Sequence, residues 1–270
     1  MNLRHQSPLW RRAVRLAGRW LFQRAENNDD PRFDHNGEGW LLRQLLAVHA
    51  RTAPGRAFVA FDGGANAGDY SREILAAARR ERCAVEVHAF EPSPHCLAGL
   101  RQSFASEPAV RLVGVALADH DGEAALHDGR AGSSQASLVA RDVLSGNPAQ
   151  VINVPLLRLG DYLETHAIKR VDLLKLDVEG SELAALRGLG DRLRPELIDL
   201  IQFEYGGAAM DAGTTLRDLY RLLTVQGYVV AKLFPAALEV RSYRPWMEHY
   251  AYANYVALSP RWLVSGSVKP

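Results

Sequence analysis

The chain is poor in cysteine. Cys83 and Cys96 are the only two, and they form no CxxC pair, so neither a disulfide framework nor a thiolate metal site is on offer. They read as reduced thiols, which points to the cytoplasm. Long apolar runs are missing as well. None approaches the roughly 18 residues that would span a bilayer. Arginines interrupt every apolar run near the N-terminus, so no secretory leader is expected. Net charge is almost absent: 32 basic residues against 31 acidic ones leave +1, with no bulk basic field to draw nucleic acid. Acid is absent locally, because between Arg4 and Arg24 there are several arginines and no carboxylate.

What is present is a hydrophobic content of 47% over 270 residues, enough for one sizeable α/β domain with an appendage. The expected division is a helical extension over 1–50 and a ligand-binding domain over 51–270. In the extension, Leu9, Ala13, Leu16, Ala17, Trp20 and Leu21 share one helical face, with Arg11, Arg12, Arg15 and Arg19 elsewhere. A helix packed on the domain with its basic side in water is the simpler reading. A helix lying on an anionic membrane surface is the other.

The domain is organised around residues 58–69. The apolar run Phe58–Phe61 ends in Asp62 and a glycine-rich turn, and a helix follows over 70–80. This is strand, tight turn and helix, with helix N–H groups placed where open α/β sheets bind ligands. Gly64 and Gly68 let a ligand approach the backbone. Asp62 beside anion-attracting amides suits a zwitterion, such as the amino-acid end of S-adenosylmethionine, better than a bare pyrophosphate. A second strand over 84–90 ends in Glu91, and an acid there is the standard partner of a ribose diol.

Further strands are expected at 110–117, 171–177, 197–203, 228–234 and 250–258, making seven, with helices on both faces. The connection Pro235–Glu248 has no room for a crossover helix, so the last two strands pair antiparallel. Residues 124–154 are a long polar excursion, either functional or a surface hairpin.

Read as Asp62-x-Gly64-x-Asn66-x-Gly68, the turn lacks the G-x-G-x-x-G dinucleotide spacing. It is similar instead to the turn of class I methyltransferases, a Rossmann-like fold whose hallmark is a terminal antiparallel hairpin. The order of motifs resembles the FkbM family of S-adenosylmethionine-dependent O-methyltransferases. The pieces that carry the resemblance are Asn36-Gly37-Glu38, Asp62–Gly68, Phe90-Glu91-Pro92, Ala116–Asp119 with Gly122, Asp172–Gly180 and Gln202-Phe203-Glu204, spanning about residues 34–258. The resemblance implies methyl transfer to a hydroxyl of a sugar, glycan or polyketide-like natural product. It implies that Asp62, Gly64, Asn66 and Gly68 hold the methionine moiety, Glu91 the ribose and Ala116 the adenine, with Asp177 near the reacting methyl group. The cofactor-binding set it implies also takes in Gly63, Pro92, Asp119 and Glu38. A nicotinamide-dependent oxidoreductase shares the glycine turn and the strand-two acid, and a non-catalytic cofactor-binding protein could use the same scaffold.

A hydroxyl acceptor must lose its proton. Asp177, Glu179 and Glu204 lie at carboxyl ends of neighbouring strands and are the candidate bases. Lys175 projects to the same side as Asp177 and either orients the acceptor or forms a structural ion pair. Glu179 could instead complement a helix dipole. His249, before the last strand, is the alternative base. The same three carboxylates could hold Mg²⁺. Tyr243, Trp246, Tyr250 and Tyr252 either wall an acceptor pocket or pack.

Overall fold

Parallel strands covered on both faces need continuous apolar runs, and those runs build the sheet. The computed structural model describes residues 8–128, 136–139 and 150–264. Its strands in chain order are β1 (Phe58–Gly63), β2 (Val85–Phe90), β3 (Val110–Val113), β4 (Ala116–Leu117), β5 (Gly122–Asp128), β6 (Gln150–Leu157), β7 (Leu173–Leu176), β8 (Leu200–Tyr205), β9 (Val229–Phe234), β10 (Ala237–Val240) and β11 (Ala253–Leu258). The helices are α1 (Leu9–Ala25), α2 (Phe33–Asn36), α3 (Glu38–Thr52), α4 (Asp69–Glu81), α5 (Pro94–Ser103), α6 (Leu159–Thr165), α7 (Glu182–Arg187), α8 (Gly207–Asp211), α9 (Leu216–Val225) and α10 (Arg261–Val264).

The main sheet has eight strands in the order β10-β9-β11-β8-β7-β1-β2-β3, one more than expected. The addition is β10, which turns back on β9 as an antiparallel edge hairpin. β1 pairs parallel with β2 and β7, and β7 with β8. β11 runs antiparallel between β8 and β9, so the terminal hairpin is present.

The expected third strand, 110–117, is broken. Val115 N–H bonds to Val113 C=O at 3.0 Å, a pinch of inverse γ-turn type that turns the chain out of the sheet. β3 stays beside β2, while β4 joins β6 and β5 in a separate three-stranded sheet. The hairpin reading of 124–154 holds for the pairing of β5 with β6; residues 129–135 and 140–149 lie outside the described residues.

One face of the sheet packs α3 and α4, through Leu41, Leu42, Leu46, Ile74 and Ala78 on Phe58, Ala60 and Leu173. The other packs α6, α7 and α9, through Leu163, Leu186, Leu219 and Leu223 with Phe61, Leu174 and Phe203. Helices therefore cover both faces. α9 starts in a capping box between Thr215 and Asp218, and Gly227 follows its end in the left-handed region, φ +89°.

The boundary drawn after residue 50 falls inside α3, whose leucines are core residues, so α3 is no appendage. Only α1 stands off. The expectation that it packs on the domain is not met: none of its described side chains is buried.

Candidate active site

The carboxyl ends of β1, β7 and β8 carry polar side chains in a row. Asp62 pairs in register with Lys175, and Lys175 with Gln202. All three point to the face covered by α3 and α4, and all are buried. Ser71 Oγ donates to Asp62 Oδ2 at 2.7 Å, and Lys175 Nζ lies 3.9 Å from Asp62 Oδ1, which has no hydrogen-bond partner. Lys175 Nζ bonds to Asp177 Oδ2 at 3.0 Å and stands 4.6 Å above the Tyr70 ring. Gln202 accepts from Tyr70 Oη at 2.8 Å and donates to Glu38 Oε1 at 2.6 Å. Asn36 Nδ2 donates to Glu38 Oε2 at 2.6 Å. Buried polar groups need such partners, and this network meets the requirement almost throughout.

Two residues further along, Gly64, Asp177 and Glu204 form the next layer, at the strand tips. Burial pushes the carboxyls of both Asp177 and Glu204 up. The Lys175 ammonium outweighs this at Asp177 and holds it below the usual carboxylate range. Glu204 also gains repulsion from Asp177 and Glu179 and is driven well above that range. The two carboxyl groups are neighbours at the strand tips.

A cavity opens beside this layer. One wall is Gly64, Asn66, Phe90, Glu91 and Pro92; another is Asp177, Val178, Glu179 and Ser181. The apolar end is Val115, Ala116, Leu117, Leu126, Ala136 and Leu138. Glu91 is held from behind: Oε2 accepts from Asn66 N–H at 2.7 Å and Oε1 from Ser93 N–H at 2.8 Å. Ser137 Oγ donates to the Glu179 carbonyl at 2.7 Å and ties the 136–139 segment to the rim. Under the rim, Glu182 accepts from the N–H groups of Val178 and Gly180 at 3.1 Å each, and burial pushes its carboxyl up to about 7.

Glu91, Pro92, Asn66, Gly64, Ala116, Asp177 and Glu179 therefore gather around one cavity. The other expected ligand contacts are elsewhere. Asp62 and Lys175 lie beneath the floor, and Glu38 braces Gln202 from α3. Gly63 is packed against Leu117 and Leu176, and a Cβ at Gly68 would meet Phe104 and Leu100. Asp119 is exposed and bonded to His120. The turn amides expected to face a ligand are also spent: Gly64 and Ala65 N–H both bond to Phe90 C=O at 3.0 Å. The turn grips the tip of β2 and aims Glu91.

His249 lies outside the residues that line the cavity. Its Nδ1 accepts from Ala251 N–H at 3.1 Å, which puts the ring proton on Nε2, and Nε2 faces the Asn28 amide at 3.5 Å. Its ring packs on Phe22 and Tyr205. Tyr243 packs on Tyr220, and Tyr250 on Tyr205. Among the described residues no three metal-ligating side chains are grouped, so Asp177, Glu179 and Glu204 give Mg²⁺ no site. Sequence reasoning missed the part played by Gln202, although a glutamine inside an apolar strand was the visible signal. It also missed Tyr70, Glu182 and the wall of Leu126, Ala136 and Leu138, which carry no comparable mark.

The fit to S-adenosylmethionine rests on the donor set. A carboxylate anchored by two amides suits a ribose diol, an apolar end suits an adenine, and Asp177 supplies negative charge between the loops. These residues would hold the nucleoside and face the sulfonium.

Residues 62–230 match the model of the methyltransferase FkbM domain. A curated relative, Methyltransferase 1 of Beauveria bassiana (strain ARSEF 2860), is 41% identical over 81 residues, and the match covers 30% of this chain and 30% of the length of that protein. Solved structures of similar shape include a SAM-dependent methyltransferase from Agrobacterium tumefaciens, 10% identical with a TM-score of 0.44 over 83% of this chain and 62% of that one. The CMeT domain of the citrinin polyketide synthase is 13% identical with a TM-score of 0.41, over 76% of this chain and 47% of that one.

Proposed function

The chain belongs to the FkbM methyltransferase family, and from that premise we propose that it transfers a methyl group from S-adenosylmethionine to a hydroxyl oxygen of a sugar, glycan or polyketide-like acceptor. When bound, the cofactor supplies an electrophilic methyl group on a sulfonium. Everything else falls to the protein. Glu91 and Asn66 would hold the nucleoside end, and the walls made by Ala116 and Leu117 and by Leu126, Ala136 and Leu138 would exclude water from it. Asp177 accepts the hydrogen bond of the acceptor hydroxyl and turns an oxygen lone pair towards the methyl carbon. Positioning of this kind does much of the work in an in-line displacement. The oxygen becomes strongly acidic only as the new bond forms, so a carboxylate of low basicity suffices to take its proton. Lys175 favours the ionised form of Asp177 for that step, and Glu204 lies beside it.

The place of Asp177 on the cavity wall, with its carboxylate bonded to Lys175 Nζ at 3.0 Å, is the observation that carries the reading. A reducing, cytoplasmic setting is supported by Cys83 and Cys96, which form no disulfide. No helix among the described residues is long and apolar enough to cross a membrane.

Calorimetry with S-adenosylmethionine and its demethylated product tests the cofactor. Binding of neither to folded protein would sink the proposal. Mass spectrometry of candidate glycans and metabolites, incubated with labelled cofactor, tests the acceptor. Asp177→Asn is expected to keep cofactor binding within about tenfold and to lose transfer by 10²-fold or more. Label recovered on nitrogen or carbon would contradict transfer to oxygen.

A further inference from the structure

α1 is 17 residues long, about 25 Å at 1.5 Å per residue. It carries five arginines, Arg11, Arg12, Arg15, Arg19 and Arg24, and no acid. Leu9, Trp10, Val14, Leu16, Trp20 and Leu21 are between 59% and 81% exposed. At 100° per residue these six fall within a sector of about 180°, and Arg11, Arg12, Arg15 and Arg19 occupy the opposite side. Arg24 lies inside the apolar sector, but at the last turn, where a long side chain can lift its head to a polar surface.

The anchor of α1 on the body of the protein is at its C-terminal end, and not on that apolar sector. Phe22, on the arginine side, meets Trp246 and His249 edge-on. Just beyond the helix, Glu26 takes Lys232 Nζ at 3.1 Å and Arg241 Nη1 at 2.7 Å, and Asp29 N–H bonds to Tyr252 C=O at 2.9 Å. This anchor fixes the root and leaves the apolar sector in water. Tyr252 leads into β11, whose first residue, Ala253, lies opposite Tyr205. The root is therefore at the carboxyl end of β8, the end that carries Glu204.

We propose that α1 lies flat on an anionic lipid surface, its apolar sector among the acyl chains and its arginines at the headgroups. Two tryptophans, a wide apolar sector and an excess of arginine are the features of an interfacial helix. Charge complementarity selects the occupant. A second copy would set five positive charges against five more. A nucleic acid would meet the arginines but leave Leu9, Leu16 and Trp20 in water. An anionic bilayer satisfies both sides of the helix at once.

The test is co-sedimentation of the full chain with vesicles of phosphatidylcholine alone and of phosphatidylcholine with phosphatidylglycerol. Binding is expected only to the anionic vesicles, falling as salt is raised. Trp20→Glu should weaken it about tenfold or more, and Arg19→Glu by roughly fivefold or more. Both variants should keep the thermal midpoint, since neither residue is in the core. Failure of the wild type to sediment with anionic vesicles would overturn the proposal, as would equal binding to neutral ones or an unaffected Trp20→Glu variant. Light scattering that shows a dimer dissolved by Trp20→Glu, without vesicle binding, would assign the helix to a second copy instead. None of these readouts depends on methyl transfer, so their failure leaves the cofactor proposal standing.

Discussion

Gly64 is where two loops of the cavity meet, and replacing it with alanine measures how rigidly they are set. Its φ is +82°, and an added Cβ would overlap the Asp177 carbonyl oxygen and lie 2.9 Å from the carbonyl carbon. Both contacts are backbone, so no side chain can swing aside. The left-handed conformation alone costs alanine about 1–2 kcal/mol, offset by roughly 0.4–1 kcal/mol from the stiffer unfolded chain. Relief of the clash must pull Asp177 away from β1. That strains Asp177 N–H to Gly63 C=O and Gly64 N–H to Phe90 C=O, each 3.0 Å. Each is worth about 1 kcal/mol, and overpacking adds about 1–3 kcal/mol. The sum is about 3–7 kcal/mol. Gly55 provides the control: its φ is +86° and nothing lies within 4 Å of its Cβ position, so Gly55→Ala carries the conformational cost without the clash. Urea unfolding at unchanged m-value should place Gly64→Ala about 3–5 kcal/mol below Gly55→Ala. Equal midpoints for the two variants would refute the reasoning, because the loops would then yield freely.

Three further outcomes are expected. Glu91→Gln should weaken S-adenosylmethionine binding by roughly 10- to 100-fold in calorimetry, the loss of a charge-assisted hydrogen bond; unchanged affinity would mean that Glu91 does not face the ligand. The Glu182 carboxyl is raised by burial from 4.5 to about 7, so its contribution to stability is full below pH 4.5 and is lost as pH rises through 7, a change of about 3 kcal/mol. Glu182→Gln should remove that part of the pH slope in urea midpoints measured at pH 5 and pH 8, and a slope identical to wild type would count against it. At Glu248, burial pushes the carboxyl up, but hydrogen bonds from Tyr205 Oη and from the N–H groups of Arg217 and Leu216 hold it below 4.5. Its stabilisation is present above that value and lost as pH falls through the lowered one. Glu248→Gln should lower stability by about 1–3 kcal/mol at pH 7 and flatten the acid limb followed by circular dichroism.

Much of the sheet was legible because buried parallel strands are written as unbroken apolar runs. Phe58–Phe61 announces itself in this way, Leu173–Leu176 and Leu200–Phe203 do so apart from Lys175 and Gln202, and the turn and acid after each mark its carboxyl end. The break after Val113 was not legible. Val-Gly-Val-Ala-Leu is apolar throughout, and only the presence of a second sheet decides where Ala116 goes. The cavity-lining residues Asn66, Glu91 and Asp177 were visible from their places at strand tips. The burial of Asp62, Lys175 and Glu38 was not, since it depends on register between β1, β7 and β8 and on α3 closing over them. The same holds for the turn amides, whose acceptor, Phe90 C=O, belongs to the neighbouring strand. His249 misled because its partners, Asn28 and Phe22, come from the distant N-terminal segment.

The insertion of β11 between β8 and β9 has a consequence for the order of assembly. Both neighbours precede it in the chain, so during synthesis each emerges with an open hydrogen-bonding edge and a slot between them. Every residue of Ala253–Leu258 is buried, so nothing made earlier can stand in for it. Until that segment leaves the ribosome the sheet is two half-sheets with sticky borders, the kind of edge that recruits strands from other chains. Release of the last strand is therefore the event that converts an aggregation-prone nascent chain into a closed sheet.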